Sequence, residues 1–244
     1  MQRTEHIMGM PIIITTVKPT DGAALDAIFD YFRQVDARYS TYKPDSEISQ
    51  INRGLPRAVW STEMHDIMRR CELTTQQTQG YFNIERPDGQ LDPSGLVKGW
   101  AIQQATELLH SKGVDDFSID AGGDIQASGN GPTGPEWRMG IRNPFDRTEV
   151  VKVIGLRDQG IATSGTAIRG QHIYDPHDNR DLTDIVSLTV IGPTIYDADR
   201  FATAAFAMGQ KGISFIEDLE GFEGYMIDKH GTATMTSGFE EYVR

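Results

Sequence analysis

The stretch YDADRFATAAFAMG, residues Tyr196 to Gly209, places two acids among small and apolar residues. Asp199 and Thr203 are four residues apart, so on a helix their side chains share one face. A carboxylate and a hydroxyl are hard oxygen donors, the kind that Mg²⁺ prefers. The alternative is that Asp199 caps the start of the helix, which would leave Thr203 without a role. The pair is therefore a candidate magnesium site.

A second candidate is the loop DAGGDI, Asp120 to Ile125, at the end of an apolar strand. Gly122 and Gly123 permit positive φ angles and a close approach of a ligand to the backbone N–H groups, which bind phosphate oxygens. A plain Gly-Gly hairpin turn explains the same residues equally well. Both interpretations stay open from the sequence.

The loop LDPSGLVKGWA, Leu91 to Ala101, leads into a helix with Lys98 in its predicted first turn. A helix N-terminus beside a lysine favours a phosphate. The glycine spacing fits neither a Walker loop nor a dinucleotide fingerprint. A capped helix with an exposed lysine is the alternative interpretation.

The segment IATSGTAIRGQHIYDP, residues Ile161 to Pro176, brings hydroxyls and an imidazole into one stretch. Thr163 and Ser164 end a predicted strand, and His172 follows in the next, so these groups could share a cleft. There is no Gly-x-Ser-x-Gly elbow, and a serine near a histidine is not a catalytic triad. His172 could equally be a structural histidine.

Composition excludes several classes of protein. The chain has 244 residues, a net charge of -12 and one cysteine, Cys71. The acidic balance argues against nucleic acid and against a stable membrane anchor, since both partners require a positive surface. A lone cysteine excludes an internal disulfide and a thiolate metal site. The N-terminal residues resemble a strand rather than a signal peptide, which predicts a cytoplasmic protein.

Strand and helix patterns alternate along the chain, which predicts an α+β fold in one domain, residues 1–244. The first strand is expected at IIITTV, followed by a helix over TDGAALDAIFDYFRQVDARYS and a turn-rich piece, YKPDSEISQINRG. Further helices are predicted around Ile67 to Thr78, over LVKGWAIQQATELLHSKG and in the opening segment. DDFSIDAGGDIQASG is predicted as a strand, WRMGIRNP and VVKVIGLRDQGIATSG as a strand pair, DIVSLTVIG as a strand, and the C-terminal part as a helix and a hairpin.

Taken in order, the loops resemble one family, the ApbE family of FAD:protein FMN transferases. Eight segments carry the resemblance: Met8-Gly9, STYKPDSEISQIN, Gly80-Tyr81-Phe82-Asn83, LDPSGLVKGWA, DAGGDI, TSG, HIYDP and ADRFAT. They span nearly the whole chain. Asn83 stands where the family usually has an acid, and the segment from there to Asp92 is shorter than in longer relatives.

The resemblance implies a T-fold-like α+β architecture with two interlocked lobes and a flavin cleft between them. It implies that Mg²⁺ is held by the Gly95 carbonyl, Asp199 and Thr203. The residues expected to contact FAD are Met8, Tyr42, Tyr81, Phe82, Asn83, Asp92, Lys98, Asp120, Ala121, Gly122, Gly123 and Ile173.

The implied reaction transfers FMN from FAD to a threonine or serine hydroxyl of an acceptor flavoprotein and releases AMP. His172 is then the expected general base and Asp199 the expected catalytic metal ligand. Two alternatives stay open: an Mg²⁺-dependent FAD pyrophosphatase that uses water as the nucleophile, and an FAD-binding protein without catalysis.

Overall fold

The fold is that of a computed structural model, which describes residues 1–146, 148–166, 173–177 and 180–244. Its helices are α1 (Gly22–Tyr39), α2 (Glu47–Asn52), α3 (Thr62–Gln77), α4 (Ser94–Ser111), α5 (Ile195–Ala207) and α6 (Gly212–Glu217). Its strands are β1 (Gln2–Ile7), β2 (Met10–Thr16), β3 (Phe117–Ala121), β4 (Asp124–Ser128), β5 (Trp137–Arg142), β6 (Val150–Leu156), β7 (Gly160–Gly165), β8 (Tyr174–Asp175), β9 (Arg180–Asp181), β10 (Ile185–Gly192), β11 (Glu223–Asp228) and β12 (Ala233–Met235).

Eight strands form one sheet in the order β1-β2-β3-β4-β7-β10-β11-β12, and every neighbouring pair is antiparallel. Side chains alternate between the two faces of a strand. One face packs against the helices in the main core, which includes Ala162 and Val190. The other face packs against the β5–β6 hairpin in a smaller core, which includes Ile161 and Ile191. The sheet is therefore buried on both sides.

Side-chain hydrogen bonds hold helix α5 at its N-cap and in its first two turns. Thr194 caps it, and its hydroxyl oxygen accepts a hydrogen bond from the Asp197 N–H at 3.1 Å. The buried Arg200 guanidinium donates to Asp197 at 2.8 and 2.9 Å and to the Thr74 hydroxyl of α3 at 3.3 Å. These contacts hold one face of α5 against α3, and the opposite face of α5 packs against α4.

The α+β class is confirmed, and most predicted elements are present. Four expectations were wrong in detail. Strand β2 covers IIITT, but β1 precedes it, and the turn-rich piece contains the short helix α2. The predicted single strand DDFSIDAGGDIQASG is the β3–β4 hairpin, and VVKVIGLRDQGIATSG contains two strands, β6 and β7. α2 forms because the Ser46 hydroxyl accepts the Ser49 N–H at 3.2 Å as an N-cap.

The single-domain assignment and the division into two lobes with a flavin cleft stay predictions. Among the described residues, every helix is too short or too polar to cross a bilayer.

Candidate functional site

Asp199 lies inside α5 and does not cap it. Its side chain is buried, with 3% of the residue exposed. The residue itself lies more than one helical turn after Thr194, which is the N-cap. Its Oδ2 atom accepts a hydrogen bond from the Gly99 N–H of α4 at 2.7 Å. The capping interpretation is therefore wrong, and Asp199 faces α4 across the contact between the two helices.

Lys98 places its ammonium against two buried carboxylates, those of Asp124 and Asp199. The Nζ atom forms an ion pair with Asp124 and lies 3.4 Å from Asp199 Oδ1. Because α4 begins at Ser94, Lys98 is its fifth residue, beyond the predicted first turn. The alternative of an exposed lysine is wrong, since only 19% of this side chain is exposed.

Asp124 is held by strand β7 as well as by Lys98. It is 2% exposed, and its Oδ1 atom accepts the Thr163 N–H at 3.0 Å. Burial raises the pKa of Asp199, and the nearby Asp124 charge adds to that rise, whereas Lys98 and the Gly99 N–H oppose it. Burial and Asp124 thus make the ionised form of Asp199 unfavourable, and a bound cation would stabilise that form.

Thr203 and Gly95 complete a set of oxygen donors next to Asp199. Thr203 lies one turn after Asp199 on α5, and its hydroxyl donates to the Gly95 carbonyl at 3.3 Å. Adjacent ligands of an octahedral Mg²⁺ at 2.0–2.1 Å are roughly 3 Å apart, so this spacing suits such an ion. No described residues form a group of three or more His, Cys, Asp or Glu side chains suited to a metal. The carbonyl and the hydroxyl are thus needed to complete a cation site with Asp199, and their chemistry fits a hard cation.

The DAGGDI segment is the turn of the β3–β4 hairpin. Gly122 and Gly123 have φ angles of 66° and 100°, and the Gly123 N–H donates to Asp120 Oδ1 at 2.7 Å. The hairpin alternative is thus confirmed, and anion binding at the same turn stays a prediction. Burial raises the pKa of Asp120, opposed by the Gly123 N–H. Ala121, at the end of β3, is buried.

Two of the other residues predicted to contact FAD lie at the start of α4, close to Gly95. The Phe82 ring is buried against the start of α4, since a Cβ atom built on Gly95 would lie 3.4 Å from it. Asp92 Oδ1 accepts the Ser94 N–H at 3.0 Å, at the first residue of α4. Phe82 therefore helps to fix the position of the Gly95 carbonyl.

The remaining predicted residues occupy other positions. Tyr81 packs edge-on against His177 with ring centroids 4.5 Å apart. Met8 is in the β1–β2 turn with a φ of 57°, Asn83 is exposed and accepts the Glu85 N–H, and Ile173 is half-buried against the main core. Tyr42 is 96% exposed beside a groove of about 270 Å³ that Ser49, Asn52, Arg53 and Gln90 also line. His172 lies outside the described residues.

Sequence reasoning missed Asp124 and Gly99 as members of this site. Asp124 begins β4 on the same face as Gln126 and Ser128, and all three are buried. Three polar residues in alternation on a strand were a signal that this face carries polar contacts. Gly99 lies inside a helix pattern, where a glycine indicates close packing or function.

Comparisons with known proteins show the family to which the chain belongs. The sequence model described as "ApbE family" matches residues 8–87 and 84–226. The chain belongs to the ApbE family. The FAD:protein FMN transferase of Escherichia coli K12 is 28% identical over 179 residues, which cover 69% of the chain and 51% of the relative. The enzyme of the same name from Treponema pallidum is 28% identical over 208 residues, or 74% of the chain and 58% of the relative.

This ApbE-family chain spans about half the length of the curated relatives it matches. Solved structures match almost all of it. The flavin transferase ApbE from Vibrio cholerae superposes with a TM-score of 0.86 at 23% identity, covering 99% of this chain and 98% of that one. The ApbE protein of Thermotoga maritima gives the same TM-score at 18% identity, covering 100% and 99%. These two likenesses establish the fold.

Proposed function

We propose that this protein transfers FMN from FAD to a threonine or serine hydroxyl of an acceptor flavoprotein, with Mg²⁺ required and AMP released. The observation that carries the proposal is the buried Asp199 carboxylate beside Thr203 and the Gly95 carbonyl, where α4 and α5 meet. Relatives that carry the name FAD:protein FMN transferase support the choice of reaction.

The start of α4 suits the phosphates of FAD. The helix has 18 residues, and the positive end of its dipole favours an anion. Asp92 already accepts the Ser94 N–H, so a phosphate would approach the N–H groups that follow Ser94. The Lys98 ammonium lies one turn further along, where it is shared between the Asp124 and Asp199 carboxylates. The helix dipole and a cation held at Asp199 are therefore the groups that would lower the energy of a pyrophosphate placed above Gly95.

The reaction exchanges a phosphoanhydride bond of FAD for a phosphoester bond to the acceptor. The acceptor hydroxyl oxygen bonds to the phosphorus of the FMN half, the bond from that phosphorus to the bridging oxygen breaks, and AMP leaves with that oxygen. The hydroxyl proton passes to a base, for which His172 is the predicted group. Bound Mg²⁺, held by Gly95, Asp199 and Thr203, would supply Lewis-acid polarisation of the pyrophosphate. The chain's own part is to orient the phosphates and to offset their charge.

Intact-mass spectrometry tests this function. The purified protein is incubated with FAD, Mg²⁺ and flavoprotein domains that expose a threonine, and the acceptor should gain about 438 Da, the mass of FMN less one water. Omission of Mg²⁺, or Asp199→Asn, should abolish the gain. The asparagine oxygen can still accept the Gly99 N–H, so the variant should stay folded. Glu107→Gln removes one exposed charge from α4 and is the matched control, with unchanged turnover expected.

The same assay distinguishes transfer from hydrolysis. Steady metal-dependent release of FMN and AMP, with no adduct on any acceptor, would refute transfer and indicate the pyrophosphatase. Tight FAD binding without any turnover would indicate a binding protein.

A further inference from the structure

Two buried carboxylates share one ammonium beneath the proposed cation site. Asp124 and Asp199 are 2% and 3% exposed, and they come from a strand and a helix that are 75 residues apart in sequence. Buried charges need compensation, and Lys98 supplies it to both. The Lys98 ammonium and a divalent cation therefore compete for the Asp199 carboxylate.

The Lys98 ammonium interacts more closely with Asp124 than with Asp199. Lys98 Nζ is in direct contact with Asp124 Oδ2, whereas its distance to Asp199 Oδ1 is 3.4 Å. The second oxygen of each carboxylate is fixed by a backbone N–H, from Thr163 for Asp124 at 3.0 Å and from Gly99 for Asp199 at 2.7 Å. Neither carboxylate can swing toward the lysine without breaking such a bond. The ammonium is thus held on the Asp124 side.

We propose that Asp124 is a positioning residue that draws the Lys98 ammonium away from Asp199 and so keeps the Asp199 carboxylate available to a divalent cation. This inference rests on the proposed function, because it assumes the cation site at Asp199 and Thr203. Without Asp124, the Lys98 ammonium would pair with the Asp199 carboxylate and neutralise the negative charge that the cation needs. Asp124 thereby acts on the cation only through Lys98.

Binding of Mn²⁺ alone to the FAD-free protein tests the proposal. Electron paramagnetic resonance of the free ion gives the dissociation constant for the parent, Asp124→Asn, Lys98→Met and the double variant. We expect Asp124→Asn to weaken binding about tenfold in the parent, within the usual range for coupled neighbours. In the Lys98→Met background the same change should cost less than about twofold, because the competing ammonium is gone.

Equal losses in both backgrounds would overturn the proposal, because Asp124 would then act through its own charge. An unchanged constant in Asp124→Asn would also overturn it, and the mass assay for FMN transfer would still decide the proposed function independently. Parent protein without saturable Mn²⁺ binding would overturn this inference together with the cation site.

Three further variants keep the result interpretable. Asp199→Asn should abolish Mn²⁺ binding, which locates the ion. Glu107→Gln, a charge change of the same size on the exposed side of α4, should alter the constant less than about twofold. Lys98→Met leaves two buried carboxylates without their cation, so thermal unfolding is measured first. If that variant does not fold, Lys98→Gln, which keeps a donor without the charge, takes its place in the cycle.

Discussion

Gly99 of α4 lies close against α5, so Gly99→Ala tests whether this contact positions Asp199. A Cβ atom at this position would lie 2.6 Å from the Asp199 Cβ atom and 2.8 Å from the Ile195 carbonyl oxygen. Both contacts are far inside van der Waals distance, and the second involves backbone that cannot rotate away. The added methyl group must therefore push the two helices apart.

The change that Gly99→Ala makes in the free energy of unfolding follows from two opposed effects. Overpacking a filled core costs about 1–3 kcal/mol. Replacing a helical glycine by alanine returns about 1 kcal/mol, because alanine has the better helix propensity. The net destabilisation should be about 0–2 kcal/mol, which for a chain of 244 residues is a fall in Tm of at most about 8 °C. The same separation lengthens the 2.7 Å bond from the Gly99 N–H to Asp199 and moves the Asp199 carboxylate away from Gly95, which is on α4.

Thermal and urea unfolding measure the stability, and the Mn²⁺ assay measures the site. Gly22→Ala is the matched control, since Gly22 also lies in a helix but a Cβ atom there meets nothing within 4 Å. The control should match or exceed the parent in stability and leave Mn²⁺ binding unchanged. If Gly99→Ala behaves like Gly22→Ala in both measurements, the close contact at Gly99 does not position Asp199 and the reasoning is refuted.

Two further predictions concern His172 and Cys71. His172→Ala should slow FMN transfer about 10²- to 10⁴-fold if the imidazole is the general base, and a variant within tenfold of the parent in single-turnover assays would exclude that role. Burial raises the pKa of the Cys71 thiol to about 12. At pH 8 the folded protein should therefore react with a thiol reagent at less than about 1% of the rate of the urea-unfolded chain, and equal rates would contradict the burial.

The proximity of Asp199 and Thr203 was predictable from the sequence because it is local. Asp199 and Thr203 lie one turn apart on a helix whose existence the small and apolar residues already indicate, and Gly95 begins a helix whose predicted start was correct within two residues. The i to i+4 rule needs no tertiary information. The family resemblance then joined Gly95 to the pair.

The partners of Lys98 were not predictable in the same way. Its contact with Asp124 depends on how α4 lies across β4, and this is set by packing in the core rather than by spacing along the chain. Strand β1 was missed because its residues, QRTEHI, are mostly polar and its one buried residue is Ile7. It is an edge strand, so it can form from hydrogen bonds to β2 without an apolar pattern.

The antiparallel sheet has a narrow junction at its centre, where β4 and β7 share the two residue pairs Ile125↔Ile161 and Gln126↔Gly160. Lys98 and Asp124 belong to the part of the chain before this junction, and Asp199 to the part after it. Side chains reinforce the junction, since Asp124 accepts the Thr163 N–H and Gln126 accepts the Ile195 N–H at 2.9 Å.

A ligand that contacts both parts would bind only while the junction is closed, so its binding free energy adds to the cost of local opening there. A change that weakens the β4–β7 pairing would therefore lower the apparent affinity of the ligand in proportion to the fraction of protein in which the junction is open, even at a position that the ligand never touches.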